Sequence, residues 1–186
     1  MKFLLVAINA KYIHSNPAIY SLKAYAEERL EMRDWEIALA EYTINHEKYA
    51  ILKDIYKKRP DVIGFSCYIW NISLVRELIT ELKKLLPQVP IWLGGPEVSF
   101  DLNEQMRKVP EAFGIMFGEG EETFLELLSW YQEHGIGCRT GLDMIRICPD
   151  GKIELSIMKR AEDVPTDVVI AFLLWIKRYV FVICLL

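Results

Sequence analysis

At 186 residues the chain is long enough for one ordinary domain and an appendage, and 52% hydrophobic with 12% aromatic residues supplies a substantial core. A formal charge of −4 without a basic stripe argues against a nucleic-acid partner, and Lys57-Lys58-Arg59 reads as a short solvated helix end. After Met1-Lys2 the apolar run 3–8 is too short for a signal peptide and leads into Asn9 and Lys11, so a cytoplasmic protein is expected. That run, Phe3-Leu4-Leu5-Val6-Ala7-Ile8, reads as a fully buried strand. Asn16-Pro17 then opens a helix to about Met32, with Ile19, Leu22, Ala26 and Leu30 on one face. Residues 35–40 form a second strand, and residues 49–58 a helix closed by Arg59-Pro60.

The third strand is Asp61-Val62-Ile63-Gly64-Phe65-Ser66. Asn71 is placed to cap a helix that runs to about Leu86, where Pro87 ends it. Ile91-Trp92-Leu93 makes a fourth strand, stopped by Gly94-Gly95-Pro96. A short helix at 102–107 leads to a fifth strand at 114–117, and Gly118-Glu119-Gly120-Glu121-Glu122 opens a helix to about His134. Strands alternating with helices in this way predict an α/β, Rossmann-like (flavodoxin-like) domain, a parallel five-stranded sheet with helices on both faces. Ligands of such sheets bind beyond the carboxyl ends of the strands, near the switch point of strand order. The predicted site therefore falls on four loops: 9–16, 67–70, 94–97 and 118–121.

Beyond residue 135 the pattern changes. Residues 142–148 and 152–157 read as a β-hairpin around Pro149-Asp150-Gly151, a connector over 136–167. The last stretch, 168–186, is strongly apolar and broken by Lys177-Arg178, which makes it a poor membrane span. It is expected to pack on the domain, to form an interface such as a homodimer contact, or to be the aberrant end of a truncated chain. Cys67, Cys138, Cys148 and Cys184 lie at least ten residues apart, which fits reduced thiols better than a disulfide framework or a metal-ligand set.

Four segments in order carry a family resemblance: Asn9-Ala10-Lys11-Tyr12-Ile13-His14-Ser15-Asn16-Pro17; Ile63-Gly64-Phe65-Ser66-Cys67-Tyr68-Ile69-Trp70-Asn71; Ile91-Trp92-Leu93-Gly94-Gly95-Pro96-Glu97; and Gly118-Glu119-Gly120-Glu121-Glu122-Thr123-Phe124. Together they resemble the N-terminal cobalamin (vitamin B12)-binding domain of cobalamin-dependent radical S-adenosylmethionine proteins, over about residues 1–135. The resemblance implies a cobalamin site formed by Asn9, Lys11, Tyr12, Ser15, Asn16, Ser66, Cys67, Tyr68, Trp70, Asn71, Gly94, Gly95, Pro96, Glu97, Gly118, Glu119 and Gly120.

The residue types suit a large flat ligand. Gly94-Gly95 allows close backbone approach, although a tight strand-to-loop turn would use the same pair. Backbone N–H groups after Ser66 can donate to a ligand, and Tyr68 and Trp70 can flank a corrin ring or a base, or pack at a domain interface. Glu121 and Glu122 suit the positive end of a helix and argue against a phosphate site there. No GxGxxG motif follows the first strand, which lowers nicotinamide and nucleotide readings.

Cobalamin mutases and methionine synthase carry Asp-x-His-x-x-Gly in the loop after the first strand. Here His14 is present, but Tyr12 stands for the Asp and Pro17 for the Gly. Without a carboxylate to fix its tautomer, His14 is not expected to bind cobalt. The resemblance thus implies cobalamin held with no protein metal ligand.

An iron–sulfur cluster needs closely spaced thiolates, and no Cys-x-x-x-Cys-x-x-Cys occurs. The cluster and S-adenosylmethionine would belong to a further domain, in cis or in trans, so this chain by itself is not expected to catalyse. A degenerate module that binds no cobalamin and works by interaction is the alternative. A stand-alone flavodoxin-like enzyme is disfavoured, for no Ser/His/Asp, Cys/His or paired-carboxylate arrangement stands out, and His46 and His134 read as surface residues.

Overall fold

The computed structural model describes residues 1–11, 15–32, 34–100, 102–116, 120–136, 145–147 and 153–155. Strands β1 (Lys2–Asn9), β2 (Glu36–Thr43), β3 (Val62–Ser66), β4 (Ile91–Gly94) and β5 (Gly114–Ile115) form one parallel sheet in the order β2-β1-β3-β4-β5. Helices α1 (Pro17–Arg29), α2 (Lys48–Lys58), α3 (Ile72–Leu85) and α4 (Leu102–Lys108) connect successive strands, and α5 (Gly120–His134) follows β5. A single 3-10 turn, Pro96–Val98, precedes α4.

β1 shows why the sheet is covered on both faces. Every residue from Phe3 to Asn9 is buried, the near-continuous apolar run of a parallel strand packed on two sides. Side chains alternate between faces with period two. Leu4, Val6 and Ile8 join Ile51 and Ile55 of α2 and Val75, Ile79 and Leu82 of α3. Phe3, Leu5 and Ala7 join Ile19 and Ala26 of α1 and Phe124, Leu127 and Tyr131 of α5. On this second face Trp92 Nε1 donates to the Tyr131 hydroxyl at 2.9 Å, and Phe3 meets Phe124 edge-on at 5.0 Å.

The sequence places every strand and helix of the sheet domain, and the main differences lie at the ends of β2 and α1 and in the role of Asn71. β2 continues to Thr43 rather than stopping at Ala40, because Ala7, Ile8 and Asn9 extend the β1 ladder to Glu41, Tyr42 and Thr43. α1 ends at Arg29 rather than near Met32; Leu30 turns extended, and Leu30 and Met32 pack back on the α1/α5 core. Asn71 occupies the position before α3 with helical dihedrals and makes no side-chain cap bond. Its amide is committed elsewhere, to the strand ends described below.

β6 (Ile145–Ile147) and β7 (Ile153–Leu155) pair antiparallel, with Ile147 opposite Ile153, as the hairpin pattern predicts. The turn at Pro149-Asp150-Gly151 and the apolar stretch 168–186 lie outside the described residues. Among the described residues no helix is long and apolar enough to cross a membrane.

Candidate functional site

The strand order reverses between β1 and β3, so the carboxyl ends of these two strands define the switch point. β1 ends at Asn9, β3 at Ser66 and β4 at Gly94, with Ala7 level with Ser66 and Ser66 level with Gly94. The loops leaving these ends are joined through their backbones. Cys67 N donates to Gly94 O at 2.7 Å, and Glu97 N donates to Cys67 O at 3.3 Å. Gly95 has φ +106, and a β-carbon there would lie 2.6 Å from Cys67 O, so this close approach requires glycine.

Asn71 secures the loop after β3. Fully buried, it accepts from Tyr68 N at 2.8 Å through Oδ1, while Nδ2 donates to Ile8 O and Ser66 O at 3.0 Å each. One amide thus ties β1, β3 and the loop between β3 and α3. Tyr68 and Trp70 stack on each other, with ring centroids 4.5 Å apart and planes within 7°. Trp70 Nε1 also donates to Ile8 O at 3.2 Å, leaving the stacked pair as a fixed wall at the rim.

Beneath this rim, between the sheet and the α1/α5 pair, lies a cavity of about 380 Å³. Leu5 and Gly64 form its floor, and Ala18, Ile19 and Leu22 of α1 line one side. Ser66, Tyr68, Gly94, Gly95, Pro96 and Ser99 line its upper edge, while Met116, Gly120 and Glu121 close the far side. Gly64 keeps this floor low: a β-carbon would crowd the Phe3 ring at 3.0 Å and Leu5 at 3.2 Å. Ser21 Oγ donates to Glu121 Oε1 at 2.6 Å, linking α1 to α5 beside the opening. The volume lies in the range of small-molecule sites, and the lining is mostly apolar with few polar groups.

A cluster at the other side of the rim centres on Glu41. Its Oε1 accepts from Asn9 Nδ2 at 3.0 Å and Asn16 N at 2.7 Å, and its Oε2 accepts from the Tyr20 hydroxyl at 2.7 Å. Burial works against the Glu41 charge, but the bonds from Tyr20, Asn16 and Asn9 outweigh it and hold the carboxyl below its usual range. The hydrogen bond to Glu41, with its charge and some burial, raises the Tyr20 hydroxyl. Asn16 also caps α1, its Oδ1 accepting from Ala18 N at 3.1 Å, and its Nδ2 donates to Ser66 Oγ at 3.3 Å.

The structure therefore gathers Ser66, Tyr68, Gly94, Gly95, Pro96 and Gly120 around one cavity, with Asn9 and Asn16 beside it. Lys11 and Ser15 are exposed on the loop after β1, and Glu97 is half-buried. Cys67 does not face the cavity. Its thiol lies in the core on the opposite sheet face, where burial pushes its pKa up to about 12. Three backbone donors of this segment are also taken: the N–H groups of Cys67, Tyr68 and Asn71 all bond within the protein. Tyr12, His14, Gly118 and Glu119 lie outside the described residues.

Sequence reasoning missed Glu41, Tyr20, Leu22, Ser99 and Met116 as site residues. Glu41 was hidden by ending β2 too early; a strand carried to Thr43 sets it level with Ala7, at the rim.

A family model described as the B12 binding domain matches residues 4–128, more than half of the chain and all of the five-stranded sheet but the first two residues of β1. The chain belongs to the B12-binding domain family. This B12-binding domain is similar to that of the cobalamin-dependent radical SAM methyltransferase TokK of Streptomyces tokunonensis, at 36% identity over 70 residues. That match covers 38% of the chain and 10% of TokK. In fold it is similar to the radical S-adenosylmethionine methyltransferase TsrM from Kitasatospora setae, with TM-score 0.59 and 20% identity over 85% of this chain and 30% of TsrM. A cobalamin-binding protein from Desulfitobacterium hafniense DCB-2 shares the fold at TM-score 0.52 and 15% identity, over 69% of this chain and 58% of that protein. The chain thus spans a small part of the enzymes it resembles.

Proposed function

We propose that this domain binds cobalamin at the carboxyl rim of its sheet and serves a radical S-adenosylmethionine enzyme whose catalytic domain acts in cis or in trans. The observation that carries the proposal is the cavity of about 380 Å³ at the switch point, with a glycine in its floor and glycines at its edge. Cobalamin joins a broad corrin to a nucleotide arm that ends in a flat, largely apolar base. The space between Leu5, Gly64, Leu22 and Met116 matches the chemistry of such a base, and the cavity is not filled by side chains and carries one acidic residue, Glu121, in its lining.

Gly94, Gly95 and Pro96 would offer backbone surface to the ligand, and Ser66 and Ser99 hydroxyls would meet its polar edges. The Tyr68–Trp70 stack would supply a rigid aromatic wall, its rings already ordered by the bond to Ile8 O. When bound, cobalamin supplies a cobalt centre for methyl transfer or for assisting radical chemistry; the chain's own residues hold and shield it. His14 takes no part as a cobalt ligand in this reading, since it lacks the carboxylate partner of the Asp-x-His-x-x-Gly motif.

A catalytic partner would seat on the same rim. Ile44, Ile69, Trp70 and Phe100 follow the ends of β2, β3 and β4 and are 41%, 78%, 47% and 77% exposed. Exposed apolar groups gathered on one side mark contact surfaces. That patch also favours the second reading, an interaction module of the same family that has lost the cofactor.

Gel filtration after mixing with hydroxocobalamin separates the two. Corrin absorbance that travels with the protein supports the first reading, and its complete absence supports the second. In the first case a visible spectrum unchanged by His14→Ala is expected, and a shift would overturn the absence of a cobalt-ligating histidine.

A further inference from the structure

Glu41 touches three structural elements at once. It stands on β2, yet its carboxylate receives Asn9 from the end of β1, the backbone N–H of Asn16 at the start of α1, and the Tyr20 hydroxyl one turn further along α1. Asn16 in turn reaches Ser66 Oγ at the end of β3, and Ser66 lines the cavity. A continuous polar relay therefore runs from β2 across the top of β1 to the cavity edge. It fixes the residue from which α1 departs, and α1 forms one cavity wall through Ala18, Ile19 and Leu22. An ionised carboxylate is the one side chain here that can accept from all three donors without offering a proton of its own.

We propose that Glu41 is the positioning residue of the cleft: it sets Asn9, Asn16 and the start of α1 in the arrangement that receives the cofactor. The inference rests on the cobalamin reading given above and extends it to a residue outside the cavity lining. Glu41 touches no ligand itself. It acts through Asn16, which it holds by a charge-assisted bond to the backbone.

Two readouts test this separately from the cofactor reading. In the protein without cobalamin, the Asn16 amide is expected to exchange with solvent about tenfold faster or more in Glu41→Ala, since a charge-assisted bond is lost. Glu36→Ala, on the opposite end of the same strand, is expected to leave that amide unchanged. In hydroxocobalamin titrations, Glu41→Ala is expected to weaken binding about tenfold. Glu41→Gln keeps one acceptor oxygen and is expected to fall between wild type and Glu41→Ala in both measurements, which also serves if the alanine variant folds poorly. Unchanged Asn16 exchange together with unchanged binding in a folded Glu41→Ala variant would overturn the proposal. Wild-type protein that takes up no cobalamin would instead overturn the cofactor reading, with Asn16 exchange still deciding whether Glu41 fixes the start of α1.

Discussion

Gly95 combines two constraints that no other residue type meets, a positive φ and a contact that a β-carbon would place 2.6 Å from Cys67 O. Gly95→Ala is expected to destabilise the domain by about 1–3 kcal/mol, read from a thermal or urea transition, and to weaken cobalamin uptake by displacing the cavity edge. A variant with wild-type stability and uptake would show that the close approach of the two loops has no consequence. Titratable groups give a second residue-scale expectation. The Tyr42 hydroxyl donates to Asp54 Oδ2 at 2.7 Å and holds that carboxyl below its ordinary range, and the bonds to Glu41 do the same despite its burial. For each, the folded pKa lies below the unfolded one. Their contribution to stability is therefore complete above the unfolded values of about 4 and fades as pH falls through the lower folded values. Urea midpoints followed from pH 7 downward should drop less steeply in Tyr42→Phe than in wild type; parallel curves would remove Asp54 from the account.

At the scale of elements, Asn71 ties the loop between β3 and α3 to the strand ends. Its amide satisfies Ile8 O, Ser66 O and Tyr68 N, all at strand ends or in the loop. Asn71→Ala removes these bonds inside a buried site and is expected to cost about 1–3 kcal/mol in urea unfolding, with loosening of the Tyr68–Trp70 stack visible as a change in near-ultraviolet circular dichroism. An unchanged aromatic spectrum would mean that the stack holds itself. The sequence made every element of the sheet readable because buried parallel strands are short apolar runs and the helices between them have clear periodicity. It misjudged Asn71 for a physical reason: an Asn before a helix has the chemistry of a cap, and the pattern does not reveal that Tyr68 N–H takes its Oδ1 while Ser66 O and the distant Ile8 O hold its Nδ2. The same limit hid Glu41. A carboxylate after the apolar residues of β2 looks like the end of a strand until the partner strand β1, which extends the ladder to Thr43, is known.

For the whole molecule, the strand order β2-β1-β3-β4-β5 decides where a ligand can bind, and the sequence could locate that rim before any coordinate because the loops with unusual residues all leave the same ends of the strands. What it could not supply was direction. Cys67 sits in one of those loops, yet its side chain enters the opposite core, whereas Leu5, Leu22 and Met116, ordinary core residues by their sequence context, line the cavity. Which face a side chain takes follows from register, and register emerges only when the strands pair. Equilibrium dialysis of the folded protein against hydroxocobalamin tests the central claim most directly. Saturable uptake approaching one corrin per chain is the predicted result, and folded protein that shows no saturable uptake would contradict it.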